Sequence, residues 1–453
     1  MSGDRNIHSR LWSIRPWHIA VALLSILLIV FGVVRVTRRV KLHNRIEVVR
    51  AAGYPVTPAE LNTWHRTPVS GENAADHVME ALARLQMPQE RDKEQIPLLG
   101  EPSLPPRTQP LDGQTTSTIG KLLDDNAEAL NLVEQATLVK YSRYTVDFTQ
   151  GDNMRIPHMD KFRDMAGLLC LKAALLAEQT ETGPAVDAMA CAYRLADTLA
   201  EESMLTSHMI RIVCLLKATA TLERILNRTT VDTGHLEHLE QALTSAYDPN
   251  ALERAFVSEQ CFMLADSRPR MDWAPVRPSE SLSFVRLQMA RVSGALDLAK
   301  IRYIDLIDRH ITAARLPTRE RMRAASEIER EIRRMRDNQV FLTGIMPDFH
   351  GLIVFDVANT AQLLTARTAL AVERYRLATG QLPSRLADLV PTYLEQVPQD
   401  PFDGQSLRYH RLEKGYVVYS VGRDLSDDGG KERAPVQIGR AEPGYDIAFT
   451  MER

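Results

Sequence analysis

Residues 352–430 read LIVFDVANTAQLLTARTALAVERYRLATGQLPSRLADLVPTYLEQVPQDPFDGQSLRYHRLEKGYVVYSVGRDLSDDGG. Apolar residues Ile353, Val357, Ala361, Leu364, Ala371 and Tyr375 recur at helical steps, with Asp356, Arg367 and Arg374 off that face. The spacing predicts a long helix over 353–379. Gly380 suits its left-handed end, and Pro383 cannot continue it. Ser384 can cap a short turn carrying Leu386 and Leu389, closed by Pro391. In Asp400-Pro401-Phe402-Asp403-Gly404, proline presets one backbone angle and glycine supplies the conformation other residues avoid. Leu407–Leu412 and Tyr416–Val421, joined across Glu413-Lys414-Gly415, are rich in aromatic and β-branched residues and predict a hairpin.

The run YRLATGQLPSRLADLV, the DPFDGQSLRY turn and YVVYSVGRDLSDDGG resemble the globular part of the major pseudopilin of type II secretion. The resemblance covers about the last quarter of the chain. It implies a small α+β unit, with residues 353–379 in place of the family's long helix. The family's processed, phenylalanine-led apolar helix carrying a glutamate has no counterpart at this N-terminus.

Asp424, Ser426, Asp428 and Gly429 follow the order D-x-S-x-D-G, the first half of a calcium loop. The twelfth position is Pro435, where an EF-hand requires a bidentate glutamate. The pseudopilin resemblance implies a different closing ligand, Asp446. Calcium is thus the candidate cofactor, with Asp424, Ser426, Asp428 and Asp446 as its ligands. The same residues also suit a solvated Asp/Gly turn closing a hairpin.

Trp17–Val34 is an uncharged run, WHIAVALLSILLIVFGVV, flanked by Trp12 and Trp17 on one side and Arg35, Arg38, Arg39 and Lys41 on the other. Its length, aromatic edge and arginine flanks predict a transmembrane anchor over residues 17–36 that contacts the lipid bilayer. No small-x-small cleavage site follows it, so the segment is expected to stay attached. Basic residues beyond the span outnumber those before it, which favours a cytoplasmic body; a calcium loop favours the other side. Long domains translocate largely regardless of charge, so an extracytoplasmic body is expected.

The chain has 453 residues, 44% of them apolar, enough for more than one domain. Of its 55 Lys and Arg, nine fall in the first 50 residues against Asp4 and Glu47, and the remainder is net acidic. That balance excludes a nucleic-acid-binding body. A terminal tail (1–16) precedes the anchor. Residues 37–86 form a stalk and capped short helices, Thr57-Pro58-Ala59-Glu60 being a capping box. This opening is similar to those of bacterial single-pass membrane proteins that also end in a pseudopilin-like segment.

Proline-rich residues 87–114 read as a flexible or extended linker. Residues 115–345 read as a helical body of hairpin-joined helices, including a buried helix over Ala166–Ala177, a break at Gly183-Pro184, breaks at Pro269, Pro275 and Pro278, and a solvated charged helix over Arg319–Arg336. Residues 346–453 form the pseudopilin-like domain. The expected class is mainly α, with a transmembrane helix, a multi-helix body and a small α+β C-terminal unit.

Cys170, Cys191, Cys214 and Cys261 sit singly among apolar helical neighbours, as buried thiols do. His235 and His238 share a helix face, yet the polar surroundings favour a solvated surface, and H-E-x-x-H spacing is absent. The chain also lacks G-x-S-x-G, phosphate-loop and dinucleotide signatures. The expected function is a membrane-anchored, non-enzymatic envelope protein with protein partners, linked to secretion or envelope assembly. The alternative is a membrane-bound hydrolase or metal-dependent enzyme. It requires His65, His77, His158, His208, His235 or His238 to converge with carboxylates in the helical body.

Overall fold

The computed structural model describes residues 16–64, 71–100, 102–154, 156, 158–265, 289, 292–336, 348–431 and 445–453. Among these, fourteen α-helices, two short 3-10 helices (Phe148–Asn153 and Leu386–Leu389) and a three-stranded antiparallel sheet account for the regular structure. The proline break at 269–278, His65 and Pro435 lie outside the described residues. The chain divides into two compact units, Met1–Tyr54 with Trp273–Asp305, and Pro55–Asp272 with Leu306–Arg453.

In the first unit, α1 (Pro16–Ala51) carries the apolar run, and Leu23, Ile26, Leu27 and Ile29 along it are all exposed. Among the described residues it is the one helix long and apolar enough to cross a membrane, with mean hydropathy 2.8. The expected second feature of this unit, a stalk beyond the span, is a direct continuation of the same helix to Ala51.

The second unit begins with α2 (Pro58–Trp64). Glu60 N–H donates to Thr57 Oγ1 at 3.2 Å, while the Glu60 carboxylate accepts from Val56 N–H, one residue earlier than an ideal capping box. There follow α3 (Ala74–Arg84), α4 (Glu90–Lys93), α5 (Gly113–Asp125), α6 (Ala127–Ala136), α7 (His158–Glu178), α8 (Thr182–Asp197), α9 (Leu205–Arg228), α10 (Thr233–Ser245) and α11 (Ala251–Leu264). Helix α7 is apolar nearly all round because α5, α8 and α9 pack on it; Leu168, Leu169 and Cys170 are wholly buried. Pro184 falls in the first turn of α8, where its missing N–H costs nothing.

The segment expected as a linker contains α4 and a run of turns, and its proline-rich part is fastened along the body. Prolines leave carbonyls without matching donors, and basic side chains of α9 supply them. Arg224 donates to the carbonyls of Pro105, Pro106 and Gln109, Lys217 to that of Leu98, and Arg228 to that of Thr108. Ile96 and Leu111 are buried beneath it.

Three further helices are α12 (Ala295–Ala314), α13 (Thr318–Arg336) and α14 (Phe349–Thr379). Gly380 closes α14 at φ 72°, in the left-handed conformation expected of it. Helix α14 is central: α9, α10 and α13 pack on it, and so do strands β2 (Tyr416–Ser420) and β3 (Ile447–Met451). Asp356, expected off the apolar face, is therefore buried, because the helix has neighbours on several sides. Arg321, expected on the solvated face of α13, is buried too and pairs with Asp356 at 2.7 Å.

Strand β1 (Arg408–Arg411) pairs antiparallel with β2 in the register Arg408 to Tyr419, which matches the predicted hairpin. Strand β3 adds to the other edge of β2, a pairing that local patterning did not reveal. One apolar core runs from Val78 and Leu82 of α3, through α7–α9, to Leu370 of α14 and Val418 and Phe449 of the sheet.

Candidate functional site

The sheet is held to its preceding turn by one buried carboxylate. Asp400 accepts from Phe402 N–H at 2.9 Å, Val421 N–H at 2.8 Å, Ser420 Oγ at 2.8 Å and Arg408 Nη1 at 2.8 Å. The turn Asp400–Gly404 is closed by Gly404 N–H donating to Asp400 O, with Gly404 at φ 74°. Asp400 thus fixes where β2 ends and where the acidic loop begins.

That loop starts at Gly422 and folds back over β2. Gly430, at φ 79°, lies so close to Val417 and Tyr419 that an added Cβ would come within 2.9 Å of Val417 Cγ2. The Tyr419 hydroxyl donates to Asp427 at 2.9 Å and lies 2.7 Å from His410 Nε2. Gly430 N–H donates to Asp446 Oδ2 at 2.7 Å, tying the loop to the residue just before β3. Asp424 accepts from Ser426 N–H at 3.1 Å, and both are exposed.

Asp446 is 4% exposed, and its Oδ1 is buried with no hydrogen-bond partner. Burial raises its pKa; the Gly430 N–H opposes this, the nearby charges of Asp427 and Asp428 raise it further, and the Asp428 backbone N–H offsets part of that rise. Of the four candidate ligands, the fold therefore brings Asp428 and Asp446 into each other's field, and adds Asp427. Asp424 and Ser426 are joined to each other. Among the described residues, no three His, Cys, Asp or Glu side chains are gathered as a metal-holding group. The donor set nonetheless suits a hard cation at Asp446. An unpartnered buried carboxylate oxygen under like-charge repulsion is the electrostatic setting that such an ion relieves.

The histidines of the helical unit have separate partners. His158 stacks on Tyr144, with ring centroids 5.0 Å apart, and lies 3.7 Å from Glu202, whose other oxygen accepts from Ser207. His208 lies 3.1 Å from Asp356, which also takes Arg321. His235 pairs with Asp232 and His238 with Arg194 and Asp187, at the surface of α10. In the Ser207–Glu202–His158 group the carboxylate stands between hydroxyl and imidazole, so the imidazole is not placed to take the serine proton. Ser207 is also fully buried. Burial opposes charge on Asp356, but the hydrogen bond and charge of His208, with Arg321 and Arg211, outweigh it and hold its pKa below the usual carboxylate value. The four cysteines are buried and unpaired, and burial pushes their thiols up, to about 11 for Cys170 and about 12 for the others.

Comparison with protein-family models, with curated proteins and with solved structures found no match.

Proposed function

We propose that this chain is a single-pass, membrane-anchored, non-enzymatic envelope protein. Its helical unit binds protein partners, and its pseudopilin-like C-terminal part is stabilised by calcium, with a role in secretion or envelope assembly. The observation that carries the calcium reading is the buried, unpartnered Oδ1 of Asp446 beside the charges of Asp427 and Asp428. Asp428 and Asp446 would hold the ion, with Asp424, Ser426 and Asp427 available from the same loop. Bound calcium supplies positive charge that lets the clustered carboxylates coexist ionised. The chain's own residues then do the structural work: Tyr419 and Gly430 pin the loop over β2, and Asp400 fixes its root.

The order of helix, glycine stop, DPFDG turn, hairpin and acidic loop supports the pseudopilin likeness. Support for a non-enzymatic body comes from the histidine–carboxylate pairs His158–Glu202 and His208–Asp356, which are buried among the helices and separate from each other. An affinity of roughly 10⁻⁴ to 10⁻³ M is expected, as in extracellular modules. Asp428→Ala tests the reading by thermal unfolding. A lower midpoint in millimolar calcium, with little change in chelator, is the expected result. Equal loss in both conditions would leave a plain turn. Protease accessibility of the body in intact cells, spheroplasts and lysed cells tests the extracytoplasmic placement.

A further inference from the structure

The first unit contains more than the apolar helix. Residues 292–293 are helical, Gly294 breaks the helix at φ 71°, and α12 begins at Ala295. An added Cβ on Gly294 would lie 3.1 Å from Arg35 Nη1 and 3.3 Å from Arg38 Cδ, so this backbone rests on the stems of both arginines. Arg38 donates to Ser293 O at 3.1 Å, Asp297 pairs with Arg35, and Asp305 pairs with Arg45 at 2.7 Å.

Those pairings fix direction and depth. Ten residues of α1 (35 to 45) are matched by eight of α12 (297 to 305), about 15 Å against about 12 Å, so the two run side by side in the same sense. The apolar run Trp17–Val34 spans about 27 Å, close to the hydrocarbon thickness of a bilayer, which puts Arg35 at its edge. Ser293 and Gly294 touch Arg35 and Arg38, so they lie at the same level. Met289 and Val292, just upstream, are 67% and 64% exposed. Arg39 and Lys41 are exposed about 6 and 9 Å further along α1, within reach of the head-group layer by their long stems.

We infer that Met289 and the Val292–Gly294 backbone make a second membrane contact, lying in the lipid interface with Met289 and Val292 at the acyl boundary and Arg39 and Lys41 on anionic phospholipid head groups. Arg35–Asp297 and Arg38–Ser293 hold it there. Single apolar side chains on a surface are ordinary. These two differ because their neighbours are tied to the residues at which the apolar run ends. The inference rests on α1 crossing the bilayer.

The test uses the full chain in nanodiscs, of phosphatidylcholine alone and of a phosphatidylcholine–phosphatidylglycerol mixture. Nitroxides are placed at Met289→Cys, Val292→Cys and, inside the span, Leu27→Cys; the four native thiols are buried and do not compete. Accessibility to oxygen and to a nickel chelate reports depth. The expected result is a several-fold higher oxygen-to-nickel ratio at 289 and 292 than for a fully aqueous label, larger in the anionic mixture. Adding Asp297→Ala should return both to aqueous values while Leu27 stays immersed. Aqueous values at 289 and 292 in both lipids, with Leu27 immersed, would overturn this inference and leave the span intact. An aqueous Leu27 would overturn both. Equal immersion in the two lipids would refute the head-group contact of Arg39 and Lys41.

Discussion

Replacing Asp400 by alanine removes one side chain on which the turn and the C-terminal end of β2 depend. Its side chain is fully buried. Of its four donors, two can find other partners: Arg408 also pairs with Asp403, and the Ser420 hydroxyl can rotate. The N–H groups of Phe402 and Val421 cannot, because their directions are set by the backbone. A buried donor left without an acceptor costs about 1–3 kcal/mol, so two cost about 4 kcal/mol. Each 1.4 kcal/mol is a factor of about ten in an equilibrium. Hydrogen exchange of the amides of Tyr416–Ser420 and Ile447–Met451 should therefore speed up by roughly three decades in Asp400→Ala. Asp400→Asn keeps one acceptor oxygen and should show about half that loss. Less than a tenfold change in Asp400→Ala would mean that the carboxylate does not hold the sheet to its turn, and the account of how the loop is positioned would fall.

Two further perturbations probe the helical unit. His310 is buried between Phe256 and Phe349 and donates Nδ1–H to Leu306 O, and burial lowers its pKa to about 4. Its folded value is below the unfolded one, so its contribution is complete above about pH 6.5 and is lost as pH falls towards 4, some 3 kcal/mol in all. Urea midpoints measured between pH 7 and pH 4 should fall for the parent and fall less for His310→Gln; parallel slopes would refute the assignment. Arg224→Ala removes three carbonyl contacts and the pair with Glu178, and should expose residues 97–111 to limited proteolysis at least tenfold faster, a loss of about 2 kcal/mol. An unchanged cleavage rate there would show that apolar packing of Ile96 and Leu111 suffices.

Local sequence determined much of this protein. The apolar run at 17–34, the α14 stop at Gly380, the DPFDG turn and the hairpin all follow from interactions within a few residues, where side-chain type and backbone preference act directly. Depth in the fold was decided only by tertiary packing. Asp356 and Arg321 look like surface charges along their own helices, and they are buried where they meet each other, and where Asp356 also meets His208, across helix boundaries. The proline-rich stretch around 105–109 is held in place by arginines more than a hundred residues away. Strand β3 and Asp446 reach the acidic loop from across residues 432–444, and whether carboxylates so far apart in sequence share one electrostatic field depends on distances in space. Periodicity reports which way a side chain faces on its own element, and it carries no record of what stands opposite.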